Sequence, residues 1–353
     1  MNNLSKLQTI LADVDALLLT SQVSRLYAAG YDISEGVAVI GRETCFYFTD
    51  SRYIEAAETH LQGFTVLEIN RENPYTARIN AALEKLGAET LGVEEEDLTH
   101  GQFLRYEEKI HAKLLPCQEK INAFRHVKED WEVEKMRKAQ EIADRTFAEI
   151  LSVIRPGMTE KELAAELIYG LYRNGADGLS FQPIVVSGPN TSLPHGVPGD
   201  RKLQYGDFIT MDFGCVLDGY CSDMTRTVGL GFVSEEMAKV YDIVLQAQTA
   251  GIAATKAGVT GREVDGAARS VIEAAGYGDY FGHSYGHSLG LEVHEAPNCS
   301  PSNDKPLPAG AVCSAEPGIY LPGKFGVRIE DVVVVTADGC VNLTESPKNL
   351  LII

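Results

Sequence analysis

Two aspartates interrupt strand-like sequence in the second half of the chain, Asp212 after Phe-Ile-Thr-Met and Asp223 before Met-Thr-Arg-Thr-Val. A later stretch carries two glutamates, Glu316 and Glu330, in a similar setting. Carboxylates forced together repel unless one is protonated or a cation lies between them. Four on one wall would suit two divalent cations, and an imidazole among them tilts the preference from Ca or Mg toward Mn, Co, Fe or Zn. Imidazoles are at hand. His283, His287 and His294 fall within twelve residues, interrupted by glycines, and His195 sits in Ser-Leu-Pro-His-Gly after the apolar strand 183–187. A lone histidine is ordinarily a satisfied core residue, whereas such a cluster is not expected of a plain core strand.

The elements that must position these groups can be read from pattern. Leu203–Leu230 reads as two β-prone runs joined around Leu217-Asp218-Gly219, and Asp-Gly between such runs is a hairpin signal. A turn centred between Leu217 and Asp218 puts Asp212 opposite Asp223; a turn at Asp218-Gly219 makes them diagonal neighbours on the same face. The bland alternative is two aspartates on the wet face of an edge hairpin. An internal repeat argues against it. Arg155-Pro-Gly-Met-Thr-Glu-Lys-Glu162 matches Lys256-Ala-Gly-Val-Thr-Gly-Arg-Glu263, each opening a helix with Thr at its N-cap, and Leu203-Gln-Tyr-Gly206 corresponds to Leu307-Pro-Ala-Gly310. In that register Asp212 aligns with Glu316, and a turn near Gly323 within 311–335 brings Glu316 and Glu330 onto one face through an odd-length loop. Two copies imply one duplicated domain with a pseudo-twofold axis rather than a solenoid, so the four carboxylates should converge.

Before this domain, residues 1–125 alternate strand-like and helix-like pieces, which indicates an α/β domain. Strands are expected at 16–20, 36–40, 45–49, 65–68 and 90–93, and helices at 4–11, 51–61 and 74–86. Its histidines and the linking one, His60, His100, His111 and His126, read as surface or packing residues, and Glu94-Glu95-Glu96-Asp97 as a solvated loop or helix start. An amphipathic helix over 128–154, with Trp131, Met136, Ile142, Phe147, Ile150 and Leu151 at helical spacing, opens the second domain, 126–353.

Composition excludes several classes. The chain has 353 residues, 44% of them hydrophobic and 23% charged, in the ordinary globular range, and a net charge of −19 that argues against nucleic acid. Seven scattered cysteines without a Cys-x-x-Cys pair suggest reduced thiols in a cytoplasmic protein, with Cys215 and Cys221 packed rather than redox-active. Neither a secretory signal nor a membrane span is expected.

Met-Asp-Phe-Gly, Ser-Asp-Met-Thr-Arg-Thr, Gly-His-Ser-Leu-Gly-Leu-Glu-Val-His-Glu, Glu-Pro-Gly-Ile-Tyr and Val-Arg-Ile-Glu-Asp together resemble the M24, or pita-bread, metallopeptidases. Phe48-Thr-Asp-Ser-Arg-Tyr53 is similar to the creatinase/prolidase N-terminal domain, which points to the Xaa-Pro branch of aminopeptidases P and prolidases. The resemblance implies an α/β N-terminal domain followed by an α+β pita-bread catalytic domain. It implies two divalent metal ions per subunit, Mn or Co, with Zn or Fe as alternatives. Asp212, Asp223, His287, Glu316 and Glu330 would be the ligands, with Asp223 and Glu330 bridging. Creatinase, which shares the fold without metal, lacks such ligands; all five are present here.

Two metals can acidify a shared water and polarise the scissile carbonyl. By the same resemblance Glu316 would shuttle the proton, His195 and His294 would bind the substrate and its oxyanion, and His283 would line the site. Tyr320 and Arg328 stand beside the ligands; Arg328 either orients Glu330, meets a substrate carboxylate, or forms a buried ion pair. The expected activity is cleavage of an N-terminal residue from a following proline, by a homodimer acting on small peptides, with neither nucleic acid nor membrane as partner. The alternatives are a broader aminopeptidase of the same family and an inactive peptide- or protein-binding pita-bread module.

Overall fold

The computed structural model describes all residues, 1–353, and divides into two compact units, Met1–Arg125 and His126–Ile353. In the first unit, strands β1 (Ala16–Leu19), β2 (Val37–Ile40), β3 (Cys45–Thr49), β4 (Phe64–Glu68), β5 (Thr90–Val93) and β6 (Lys113–Pro116) form one mixed sheet in the order β4-β3-β2-β1-β5-β6. Strands β1 to β3 are buried along their whole length, the mark of strands covered on both faces.

Helices α1 (Leu4–Gln8), α2 (Gln22–Ala29), α3 (Ile54–His60), α4 (Tyr75–Leu86), α5 (His100–Lys109) and α6 (Gln118–Arg125) surround it. Helices α2, α5 and α6 and strand β6 lie outside the elements expected from sequence; α5 buries no residue at all. Residues 95–97 form an exposed turn, as expected of the acidic run at 94–97, and only Glu94 departs from that expectation. Glu94 is fully buried and accepts hydrogen bonds from Thr20 N, Ser21 N and Ser21 Oγ at 2.6, 3.0 and 2.7 Å, while Glu95 accepts from Cys117 N and Gln118 N at 3.0 Å. The two carboxylates therefore satisfy the free N–H groups at the starts of α2 and α6 and oppose their dipoles. His60 stacks on Tyr31, ring centres 4.1 Å apart, a packing role as expected.

The second unit is built twice over. Helices α7 (Asp130–Ile150) and α8 (Glu160–Arg173) begin the first half, α9 (Glu235–Ala254) and α10 (Gly261–Ala274) the second. Helix α7 starts later than expected because Glu129 and Glu132 make a capping box, and a non-helical turn ends it ahead of Pro156. Thr159 with Glu162 and Thr260 with Glu263 form matching capping boxes. Thr159 bridges to Lys202 and Thr260 to Pro306, while Gly157 N bonds Leu203 O at 2.8 Å and Gly258 N bonds Leu307 O at 2.9 Å. The repeat in the sequence is thus a repeat in structure.

Its strands are β7 (Gly178–Leu179), β8 (Ile184–Ser187), β9 (Phe208–Phe213), β10 (Cys215–Leu217), β11 (Tyr220–Cys221), β12 (Met224–Gly229), β13 (Gly286–Ser288), β14 (Glu295–Cys299), β15 (Val312–Ala315), β16 (Gly318–Leu321), β17 (Phe325–Arg328), β18 (Asp331–Val335) and β19 (Cys340–Asn342). The sheet β12-β9-β8 of the first half corresponds to β18-β15-β13 of the second, with every neighbouring pair antiparallel. Each half packs its strands against its own helix pair: Ile142, Phe147, Leu163, Leu167, Met211 and Phe213 in one core, Val244, Val264, Ile272, Ala315 and Val327 in the other. Each fully buried aliphatic or aromatic side chain there contributes roughly 1.5–3 kcal/mol.

The first hairpin turns at Asp218-Gly219, both at positive φ (50° and 84°), with Leu217 opposite Tyr220. This selects the diagonal arrangement, since Asp212 pairs with Thr225 in the same register. Gly214 lies between the aspartates in sequence, where a Cβ would stand 1.9 Å from Ser222 O, so only glycine lets the strands close there. The second hairpin uses a three-residue loop, 322–324, between paired Leu321 and Phe325. Ala315 opposite Asp331 and Gly318 opposite Arg328 then bracket Glu316 and Glu330 symmetrically. No helix is long and apolar enough to cross a membrane.

Candidate metal centre

A cavity of about 490 Å³ in the second unit gathers all ten side chains singled out from sequence: His195, Asp212, Asp223, His283, His287, His294, Glu316, Tyr320, Arg328 and Glu330. Each half supplies two of the carboxylates, from the ends of β9 and β15 and from residues flanking β12 and β18. His287 enters from the middle of β13, next to β15, with Nε2 3.2 Å from Glu316 Oε1 and 3.7 Å from Asp223 Oδ2. Asp223, His287 and Glu330 each offer one ligand atom within 4.8 Å of the others.

The groups behind these side chains orient them. Thr225 Oγ1 donates to Glu330 Oε2 at 2.6 Å, and Ser314 Oγ accepts from His287 N at 3.0 Å and donates to Glu316 Oε1 at 3.1 Å. Gln140 Oε1, from α7, accepts from Asp223 N at 3.4 Å. His287 Nδ1 lies 3.1 Å from Ser288 O, so that nitrogen donates and Nε2 is the one left for a ligand. Thr225 follows Asp223 by two residues, and strand alternation placing both on one face was a signal that sequence reading passed over. Gln140 gave no such signal.

The donor set fits a cation. Asp212 Oδ1, Asp223 Oδ1 and Glu330 Oε1 are buried without any hydrogen-bond partner, a costly arrangement for carboxylate oxygens unless something else satisfies them. Burial, followed by the charges of neighbouring carboxylates, pushes Asp223 and Glu330 well above the usual range; burial also raises Asp212 against the pull of Arg328. Burial opposes charge on His287, yet its hydrogen bond to Glu316 and the charges of Glu316 and Glu330 raise it to about 9. Burial likewise works to raise Glu316, but His287, His283 and Arg328 bring it down to about 2. Protons thus compensate the charge when cations are absent, and a cation at His287 Nε2 would displace one of them.

Arg328 settles one alternative. Its Nη2 meets Asp212 Oδ2 at 2.5 Å with the arginine side chain 4% exposed, so it forms a buried ion pair and reaches Glu330 only through Thr225, whose Oγ1 accepts from Arg328 Nε at 3.0 Å and donates to Glu330. His283 is also engaged within the protein: Nδ1 lies 2.8 Å from Ser284 O and Nε2 2.9 Å from Tyr320 Oη. His195 and His294 stand exposed on the cavity wall, His294 with its ring 4.3 Å from that of His287. Cys215 and Cys221 are packed as expected, their thiols pushed by burial to about 11 and about 12.

Residues 134–337 match metallopeptidase family M24, and residues 4–127 match the creatinase/prolidase N-terminal domain. The chain belongs to metallopeptidase family M24. It is 41% identical to the uncharacterized peptidase YqhT of Bacillus subtilis over 96% of both proteins. Among solved structures it resembles an Xaa-Pro dipeptidase from Bacillus anthracis (TM-score 0.95, 39% identity, 99% of both chains). It also resembles an X-Pro aminopeptidase from Thermotoga maritima (TM-score 0.94, 38% identity, 100% of both chains). The chain is therefore a peptidase, and the alternative of a binding module without activity is set aside.

Proposed function

We propose that this M24 peptidase releases the N-terminal residue from peptides with proline in second position, using two divalent cations, manganese or cobalt. The observation that carries the reading is one cavity holding Asp212, Asp223, His287, Glu316 and Glu330, three of whose carboxylate oxygens no protein group satisfies. The names of the two solved relatives support the proline preference, one as a dipeptidase and one as an aminopeptidase.

In this reading Asp223 and Glu330 would serve both cations, Asp212 would help hold one, and His287 with Glu316 would help hold the other. Cations bound there supply an acidified water and a polarised scissile carbonyl. Glu316 accepts the proton of the attacking water and returns it to the proline nitrogen, which has no hydrogen of its own and must gain one to leave as an amine. His195 and His294 donate hydrogen bonds to the carbonyl oxygen as negative charge builds on it. Tyr320 and His283, bonded to one another, hold the wall behind Arg328 and thereby steady Asp212.

The test is hydrolysis of Ala-Pro and Ala-Pro-Pro by chelated protein and again after manganese or cobalt is restored. Turnover that returns with the metal is expected. Metal-loaded protein that cuts alanine peptides but neither proline substrate would overturn the proline preference.

A further inference from the structure

Behind the cavity wall a second arginine spends every donor it has. Arg226 follows Thr225 on β12, so strand alternation sends it to the opposite face, and its side chain is 1% exposed. Nε donates to Pro347 O at 3.1 Å, Nη1 to Thr225 O at 2.9 Å and to Glu330 O, and Nη2 to Asp331 Oδ1 at 2.8 Å and to Ser346 O at 2.7 Å. A guanidinium carries five N–H donors in one rigid plane, and here five acceptors take them all.

Those acceptors come from three separated stretches. Thr225 is the residue whose hydroxyl orients Glu330, and Glu330 N in turn donates to Thr225 O at 3.1 Å. Asp331, next to Glu330 and fully buried, accepts on its other oxygen from Gln248 Nε2 and Asn342 Nδ2 at 2.9 Å and from Lys348 Nζ at 2.5 Å. Ser346 and Pro347 belong to the C-terminal segment. Asp144 of α7 holds that segment, accepting from Glu345 N, Ser346 N and Ser346 Oγ at 2.9, 2.8 and 2.6 Å. Asp144 stands four residues after Gln140, whose Oε1 accepts from Asp223 N, so one face of α7 serves both the segment and Asp223. Farther on, Gly229 N bonds Leu351 O and Ile353 N bonds Gly229 O, each at 2.9 Å, which fastens the segment to β12. Residues 345–353 are therefore tied to both halves of the duplicated domain.

Resting on the two-cation reading above, we propose that Arg226, with Asp331 and the C-terminal segment 345–353, is a positioning device that sets the separation of the Asp223 and Glu330 hairpins and so lets both carboxylates serve both cations. Arg226 and Asp331 are positioning residues, acting through Thr225 and Glu330. A site shared by two ions tolerates displacements of only about 0.5 Å, and a fully engaged fork holds the Thr225 and Glu330 carbonyls in one plane.

The experiment compares the full chain with Arg226→Met, Arg226→Lys and Lys348→Met, and with Val264→Ala, a core truncation on α10 that leaves the device intact. Each is measured at a temperature where it is folded. Manganese affinity is read by calorimetry, coupling between paired manganese ions by electron paramagnetic resonance, and hydrogen exchange at Glu330 N on metal-free protein. Arg226→Met should weaken manganese binding by about tenfold or more, lose the coupled signal and speed exchange at Glu330 N. Arg226→Lys keeps a charge opposite Asp331 but not the fork, so it should recover melting temperature without recovering affinity. Val264→Ala should melt lower and bind manganese as wild type does. Wild-type affinity and coupling in a folded Arg226 variant, or equal weakening in Val264→Ala, overturns the proposal. If neither Arg226 variant folds, Lys348→Met decides: slower, tighter or unchanged behaviour at Glu330 and at manganese overturns it, and a smaller shift in the same direction as expected for Arg226→Met supports it. If wild type holds fewer than two ions, the two-cation reading falls, and exchange at Glu330 N still decides whether the fork sets that contact.

Discussion

Thr225 Oγ1 donates a 2.6 Å hydrogen bond to Glu330 Oε2, across 105 residues of chain and between the two halves of the duplicated domain. The bond uses one oxygen of the carboxylate and leaves the other, Oε1, buried without a partner. The same hydroxyl accepts from Arg328 Nε at 3.0 Å, which fixes the direction in which it donates.

Thr225→Val keeps the shape of the side chain and removes that donor. Metal affinity should fall by about 10–100-fold, the usual cost of losing a group that orients a ligand. Thr225→Ser should restore most of it. Titration of metal-free protein with manganese measures both, and an unchanged affinity in the valine variant would show that the bond does not orient Glu330.

Asp223→Asn should abolish turnover and yet stabilise the metal-free protein against heat. The native carboxylate is held in a buried site among Asp212, Glu316 and Glu330, which its neutral isostere relieves. Thermal unfolding without metal is the check. A metal-free variant melting below wild type would mean that Asp223 contributes to the fold in its own right.

Arg328→Met leaves Asp212 buried without its partner. Loss of one member of a buried pair costs about 3–5 kcal/mol, visible in denaturant unfolding. Lysine should not rescue it, because a point charge cannot span Asp212, Tyr320, Thr225 and Pro194 O at once.

Chelation should remove activity and lower thermal stability together, since an ion bound to the folded state at 100 times its dissociation constant adds about 2.7 kcal/mol. Metal analysis after incubation with manganese should give close to two ions per chain. A content near zero would overturn the metal-dependent mechanism.

The sequence by itself determined a great deal of this molecule. Strand alternation, the Asp-Gly turn signal and the repeated Pro/Ala-Gly-x-Thr motif sufficed to place four carboxylates on two equivalent hairpins, because these signals are local and periodic. The structure confirms that duplication and brings the same side chains into one cavity. The rest depended on contacts that no local pattern encodes. The hairpin register was open in the sequence until Leu217 was seen opposite Tyr220. The burial of Glu94 depended on strands and helices more than seventy residues away. The partner of Arg328 proved to be Asp212, 116 residues distant, and not Glu330 two residues ahead. Alternation tells which face a side chain occupies, but its hydrogen-bond partner is chosen by packing between elements, and only tertiary structure decides that.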